Sequence, residues 1–137
     1  MTLYYEDLTP GLSDSITRTI TEADVDAFGA LSGDMNPLHF DEAFARKTIA
    51  RHRIVHGALL VGQLSAVIGN KLPGPGTIVL SLQTAFKGSV RINDTVTAVC
   101  TVREVLPKRR AIITCICKVG ETVVVEGEGL VLVPAKP

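Results

Sequence analysis

The sequence predicts an α+β fold in which a curved antiparallel sheet wraps one buried helix. An apolar stretch at residues 54–68 is interrupted by His56, Gly57, Gly62, Gln63 and Ser65, so it reads as a buried helix and not as a membrane span. From residue 77 the pattern changes to β-branched runs separated by turn signals. Hydrophobic residues make up 46% of the chain, aromatics only 4%, with no Trp, so aliphatic side chains must fill the core, as suits strands. Periodicity alone admits other α+β arrangements; the wrapped helix is the economical one.

The elements follow in order. Residues 15–20 are β-rich enough for a short strand. Thr21-Glu-Ala-Asp24 starts a helix, with a capping hydroxyl and an acid at the third helical position. Val25, Phe28 and Leu31 supply its apolar face, and Gly33 its stop. Residues 34–39 cannot continue it, because Pro37 lacks an N–H and pushes Asn36 out of the helical region. Asp41 can cap a short helix through Glu42, Ala43, Phe44 and Ala45. The long helix spans about 56–69, is apolar nearly all round and should sit inside the protein. Leu72-Pro-Gly-Pro-Gly76 ends it. Strands are expected at 77–86, 95–104, 110–119 and 122–133, as a four-strand antiparallel meander with a possible extra strand from the N-terminus.

A chain of 137 residues has the size of one domain, taken as 1–137. Its 14 basic and 14 acidic residues balance, which speaks against a nucleic-acid or membrane-surface partner and removes one guard against self-association, so a homodimer is expected. Cys100, Cys115 and Cys117 form no Cys-x-x-Cys pair, so neither a disulfide framework nor a structural zinc is indicated; they read as small buried hydrophobes. No secretory signal is visible, and a reducing cytoplasm fits.

Asp34 and His39 lie five residues apart across a loop broken by proline. A bent loop can converge the two on one water as a general acid–base pair; equally, Asp34 can cap a turn and His39 fill a helix boundary. Gly57 opens the buried helix, whose first N–H groups lack intrahelical partners, and can offer an oxyanion site or serve close packing. Ser65 lies on the same helical face and can face the site or bond back to the Val61 carbonyl. Val61, Leu64 and Ile68 recur on the helical face that Gly57 begins and can line a pocket with Ile68 as its floor; the other reading packs Ile68 against the sheet alone. Arg46, Lys47 and Arg51-His-Arg53 are basic, as is Lys108-Arg-Arg110; each cluster is a solvated surface or a phosphate site. The metal-ligand set is sparse, and no metal or other cofactor is expected.

The ordered set Ala30-Leu-Ser-Gly-Asp-Met-Asn-Pro-Leu-His39, Ile54-Val-His-Gly57, Leu72-Pro-Gly-Pro-Gly-Thr77 and Asn93-Asp-Thr-Val96 resembles the MaoC-like dehydratase family, and within it the R-specific enoyl-CoA hydratases. The resemblance covers roughly residues 15–134. It implies a hotdog fold, a homodimer and an active site near the dimer interface, with Asp34 and His39 as catalytic pair, Gly57 as oxyanion donor and Ser65 near the site. The chain departs from the family pattern at Ser89, where proline is common, and at Asn93, where glycine is usual. The implied reaction is reversible hydration of a trans-2-enoyl-CoA to an R-3-hydroxyacyl-CoA. An acyl-CoA thioesterase and a non-catalytic acyl-CoA-binding hotdog protein are the alternatives.

Overall fold

The computed structural model describes residues 2–137. A 3-10 turn at Tyr5–Asp7 precedes strand β1 (Ser13–Thr19), then helices α1 (Glu22–Ser32), α2 (Pro37–Phe40) and α3 (Glu42–Arg46). The long helix α4 (Gly57–Asn70) leads to β2 (Ile78–Phe86), β3 (Thr95–Leu106), β4 (Arg110–Val119) and β5 (Thr122–Leu132). The strands form one sheet in the order β1-β3-β4-β5-β2, every pair antiparallel. Register shifts in β2, β3 and β5 bend it, as bulges do. Its concave face packs on Leu60, Leu64, Val67 and Ile68 of α4. This is the α+β hotdog arrangement expected.

The four late strands are not one meander. β3, β4 and β5 follow each other as hairpins, but β2 pairs with β5 and forms the edge opposite β1. The Asn93-Asp94 turn lies at the very start of β3, so residues 87–94 are a crossing and not a tight hairpin. That crossing is tied down on the way: Val55 N–H donates to the Val90 carbonyl at 2.7 Å, and Ile54 bridges Arg91.

Local signals explain most element ends. Thr21 and Asp24 form the reciprocal capping box of α1, and Gly33, at φ 80°, closes it. Asp41 caps α3 through the Phe44 N–H. Two burial expectations fail. Leu31 stands 87% exposed, so α1 buries only Val25 and Gly29 with Phe28 partly covered. Helix α4 is not enclosed all round, because the sheet wraps one side and leaves Ala58, Gly62, Ser65 and Gly69 exposed. Its apolar character on that flank comes from small residues, which hide little surface wherever they point. The three cysteines are fully buried, as expected of them.

Candidate active site

The site is built where α1 stops and α4 begins. Beyond Gly33 the chain turns through a net of short bonds. Asp34 N–H donates to Ser32 Oγ at 3.1 Å, Asn36 N–H to Asp34 Oδ1 at 3.2 Å, and Leu38 N–H to Asn36 Oδ1 at 3.0 Å. Asn36 thereby caps α2, which Pro37 opens at a position where its missing N–H costs nothing. Gly29 lets this turn fold back, since a Cβ there would lie 2.5 Å from Cζ of Phe40. His39 comes to rest against the 53–55 segment. Its Nδ1 lies 2.8 Å from the Ile54 carbonyl oxygen. A carbonyl only accepts, so Nδ1 carries the proton and Nε2 keeps its lone pair. Arg53, whose side chain is 15% exposed, donates from Nε to the His39 carbonyl at 2.8 Å and from a terminal nitrogen to Glu22 at 2.7 Å.

Asp34 is exposed and His39 buried, and each offers a ligand-type atom within 4.8 Å of the other and of one on His56. Asp34 and His39 are thus brought together across the proline turn. His56, in contrast, entered the sequence reading only as the residue before Gly57. Its ring is 1% exposed, stacks on His39 at 3.9 Å between centroids with 26° between planes, and places Nε2 3.0 Å from the Asp34 carbonyl oxygen. One signal was available: His56 holds the N-cap position of an apolar helix and makes no side-chain cap bond there.

The three residues do not suit a metal ion. Nδ1 of His39 and Nε2 of His56 are committed to carbonyls. The remaining nitrogens belong to rings stacked at 3.9 Å, an arrangement that sets their in-plane lone pairs side by side and not toward one tetrahedral centre.

Gly57 is the first residue of α4, with N–H groups at the positive end of the helix. A Cβ there would lie 2.6 Å from Cε1 of Phe86, so glycine also serves the approach of that ring. Ser65 is exposed, on the flank of α4 away from the core. Val61 is half-buried, whereas Leu64 and Ile68 have no exposed surface. A groove of about 250 Å³ beside the site is lined by Arg18, Asp24, Ala27, Phe28, Leu31 and Leu59, and Phe28 packs on His56 at 4.8 Å. A larger depression, about 490 Å³, lies over β2, β4 and β5 and touches neither Asp34 nor His39. Of the basic clusters, Arg46, Lys47 and Arg51 are exposed, while Arg53 is part of the site's frame. Glu126 and Glu128 pair with Lys87 and Arg103.

Residues 10–125 match the MaoC like domain. The chain belongs to this family. Among MaoC-like relatives, an (R)-specific enoyl-CoA hydratase of Rhodospirillum rubrum is 45% identical, over 97% of this chain and 93% of its own. A 3-hydroxybutyryl-CoA dehydratase of Methylorubrum extorquens is 44% identical, over 98% of this chain and 86% of its own. Among solved MaoC-like folds, an unliganded R-hydratase from Pseudomonas aeruginosa superposes with a TM-score of 0.93 at 36% identity, covering 98% of this chain and 88% of that one. Similarity to these proteins thus extends along the whole site, from Asp34 to α4.

Proposed function

We propose that this protein is an R-specific enoyl-CoA hydratase, a hydro-lyase that adds water reversibly to a trans-2-enoyl-CoA. The observation that carries the reading is the His39 bond to Ile54, which occupies Nδ1 and leaves Nε2 for proton transfer, in a residue with a ligand-type atom within 4.8 Å of one on Asp34. Asp34 and His39 hold a water, and the pair removes its proton as the oxygen attacks C3. A proton returns from the same pair to C2, on the same face. The N–H of Gly57 stabilises the enolate-like thioester oxygen, a contribution typically worth about 3–4 kcal/mol of barrier. The thioester is itself the electron sink. The acyl tail runs along α4, past Val61 and Leu64 toward Ile68, and Ser65 lines the site from the same helix.

The same proposal includes a homodimer. Strand β2 pairs with β5 on one side only, and exposes Ile78, Val79, Leu80 and Phe86. An apolar open edge of this kind needs a cover, and a second copy supplies one. Among the described residues, no helix is long and apolar enough to cross a membrane. A cytoplasmic setting accords with three free thiols.

The test is hydration of crotonyl-CoA, followed by loss of enoyl absorbance, with chiral analysis of the product. R-3-hydroxybutyryl-CoA is expected. Free thiol release without hydration would make the protein a thioesterase, and tight binding without turnover would make it a non-catalytic binder.

A further inference from the structure

We infer that His56 is a positioning residue of this reaction, holding Asp34 by its backbone and His39 by its ring. The inference rests on the hydratase reading above and deepens it. Among the described residues His56 is one of three buried polar side chains, with His39 and Gln63, and it touches both members of the acid–base pair. Its Nε2–H donates to the Asp34 carbonyl at 3.0 Å, which fixes the backbone from which the carboxylate projects. Its ring lies under that of His39 at 3.9 Å. Phe28 of α1 and Phe40 of α2 close on the same ring at 4.8 and 5.6 Å, so it cannot turn away.

The remaining nitrogen, Nδ1, is buried and has no hydrogen-bond partner among the described residues. A buried, unpartnered nitrogen has no structural use, and its retention here has a chemical one. A neutral ring beneath His39 presents a π-face to the imidazolium that forms when His39 takes the proton of water. A protonated ring at the same place would oppose it at close range. Nδ1 has no acceptor within reach for a proton, so the ring that suits this place is the Nε2–H tautomer. The titratable groups against it are Asp34, from the loop, and His39, from α2; Arg53 and Glu22 lie beyond, reached through the His39 carbonyl.

Two variants divide the roles. His56→Phe keeps a ring under His39 and loses the donor to Asp34; His56→Gln keeps an N–H donor and loses the ring. Both are compared with wild type for kcat, KM and the pH profile of kcat in crotonyl-CoA hydration. The expected result for His56→Phe is kcat lowered by about 10–100-fold with KM within about twofold, because misplacing a reacting group by an ångström has that effect. The expected result for His56→Gln is a smaller fall, with the acid limb of kcat moved to lower pH by about half a unit, as the proton on His39 loses its π-face. An unmoved acid limb in folded His56→Gln, or kcat within about twofold of wild type in folded His56→Phe, overturns the inference. Nitrogen-15 NMR of the wild-type imidazoles is read independently of activity. His39 should be the Nδ1–H tautomer and His56 the Nε2–H tautomer at neutral pH, and any other pair of tautomers also overturns it, even if neither variant folds. An inactive wild type with these two tautomers would sink the hydratase reading and leave the arrangement standing.

Discussion

His39 donates its Nδ1 proton to the carbonyl of Ile54 across 2.8 Å, fifteen residues along the chain. That bond sets the tautomer of the ring, in a residue whose ligand-type atom lies within 4.8 Å of one on Asp34. Asp34→Asn and His39→Gln should each lower kcat by about 10²–10⁴-fold, the usual contribution of a general acid–base group. Far-UV circular dichroism and acyl-CoA binding should stay close to wild type, since neither residue belongs to the hydrophobic core cluster. Near-normal hydration by either variant removes that residue from the mechanism.

Gly57 carries two demands that one substitution separates. Gly57→Ala places a methyl group 2.6 Å from Phe86, whose side chain is 56% exposed and free to swing. The stability change should therefore be small, within about 1 kcal/mol, because the ring can yield and alanine favours a helix over glycine by about that much. Activity should suffer more, with kcat/KM falling at least about tenfold as the amide is displaced from the thioester oxygen. Equal, small losses in both would leave Gly57 as a packing residue.

Ile68 is wholly buried, as a core residue and a pocket floor both are. Ile68→Ala should lower stability by roughly 2–5 kcal/mol in chemical denaturation. It should also raise the ratio of octenoyl-CoA to crotonyl-CoA kcat/KM, because a longer tail can occupy the vacated volume. An unchanged ratio in the folded variant would assign Ile68 to the core alone.

The open edge of the sheet is the place to break the proposed dimer. Leu80, 50% exposed on β2, touches the rest of its own chain lightly. Leu80→Lys should leave the fold intact and shift sedimentation from dimer to monomer, as charges on edge strands prevent pairing. A wild-type protein that sediments as an active monomer would defeat the proposal directly.

Much of this molecule was legible in its sequence because the signals were local. Thr21, Gly33, Pro37 and Asp41 act within a few residues of themselves, and each does in the structure what its chemistry dictates. Asn93 illustrates the same point: it adopts φ 75°, which explains why glycine is usual there and why asparagine, which tolerates that region, can replace it. What was not legible depends on long-range placement. The pairing of β2 with β5 is set by where residues 87–94 travel, and no turn motif records that path. Leu31 obeyed the helical period yet faces outward, because periodicity identifies a stripe without saying what covers it. His56 was hidden for a similar reason: its partners, Asp34 and His39, are 22 and 17 positions away and meet it only once the chain has turned back.

The sulfur atoms of Cys100 and Cys115 lie 3.9 Å apart inside the sheet, and all three cysteines are sealed from solvent. Burial pushes the Cys117 thiol up to about 12, so almost no thiolate exists there at neutral pH. The protein thus carries its own stopwatch for unfolding. A thiol reagent should find nothing to label in the native enzyme, then label all 3 cysteines at one common rate once β3 and β4 part. A cysteine that reacts ahead of the others would reveal a strand that opens by itself.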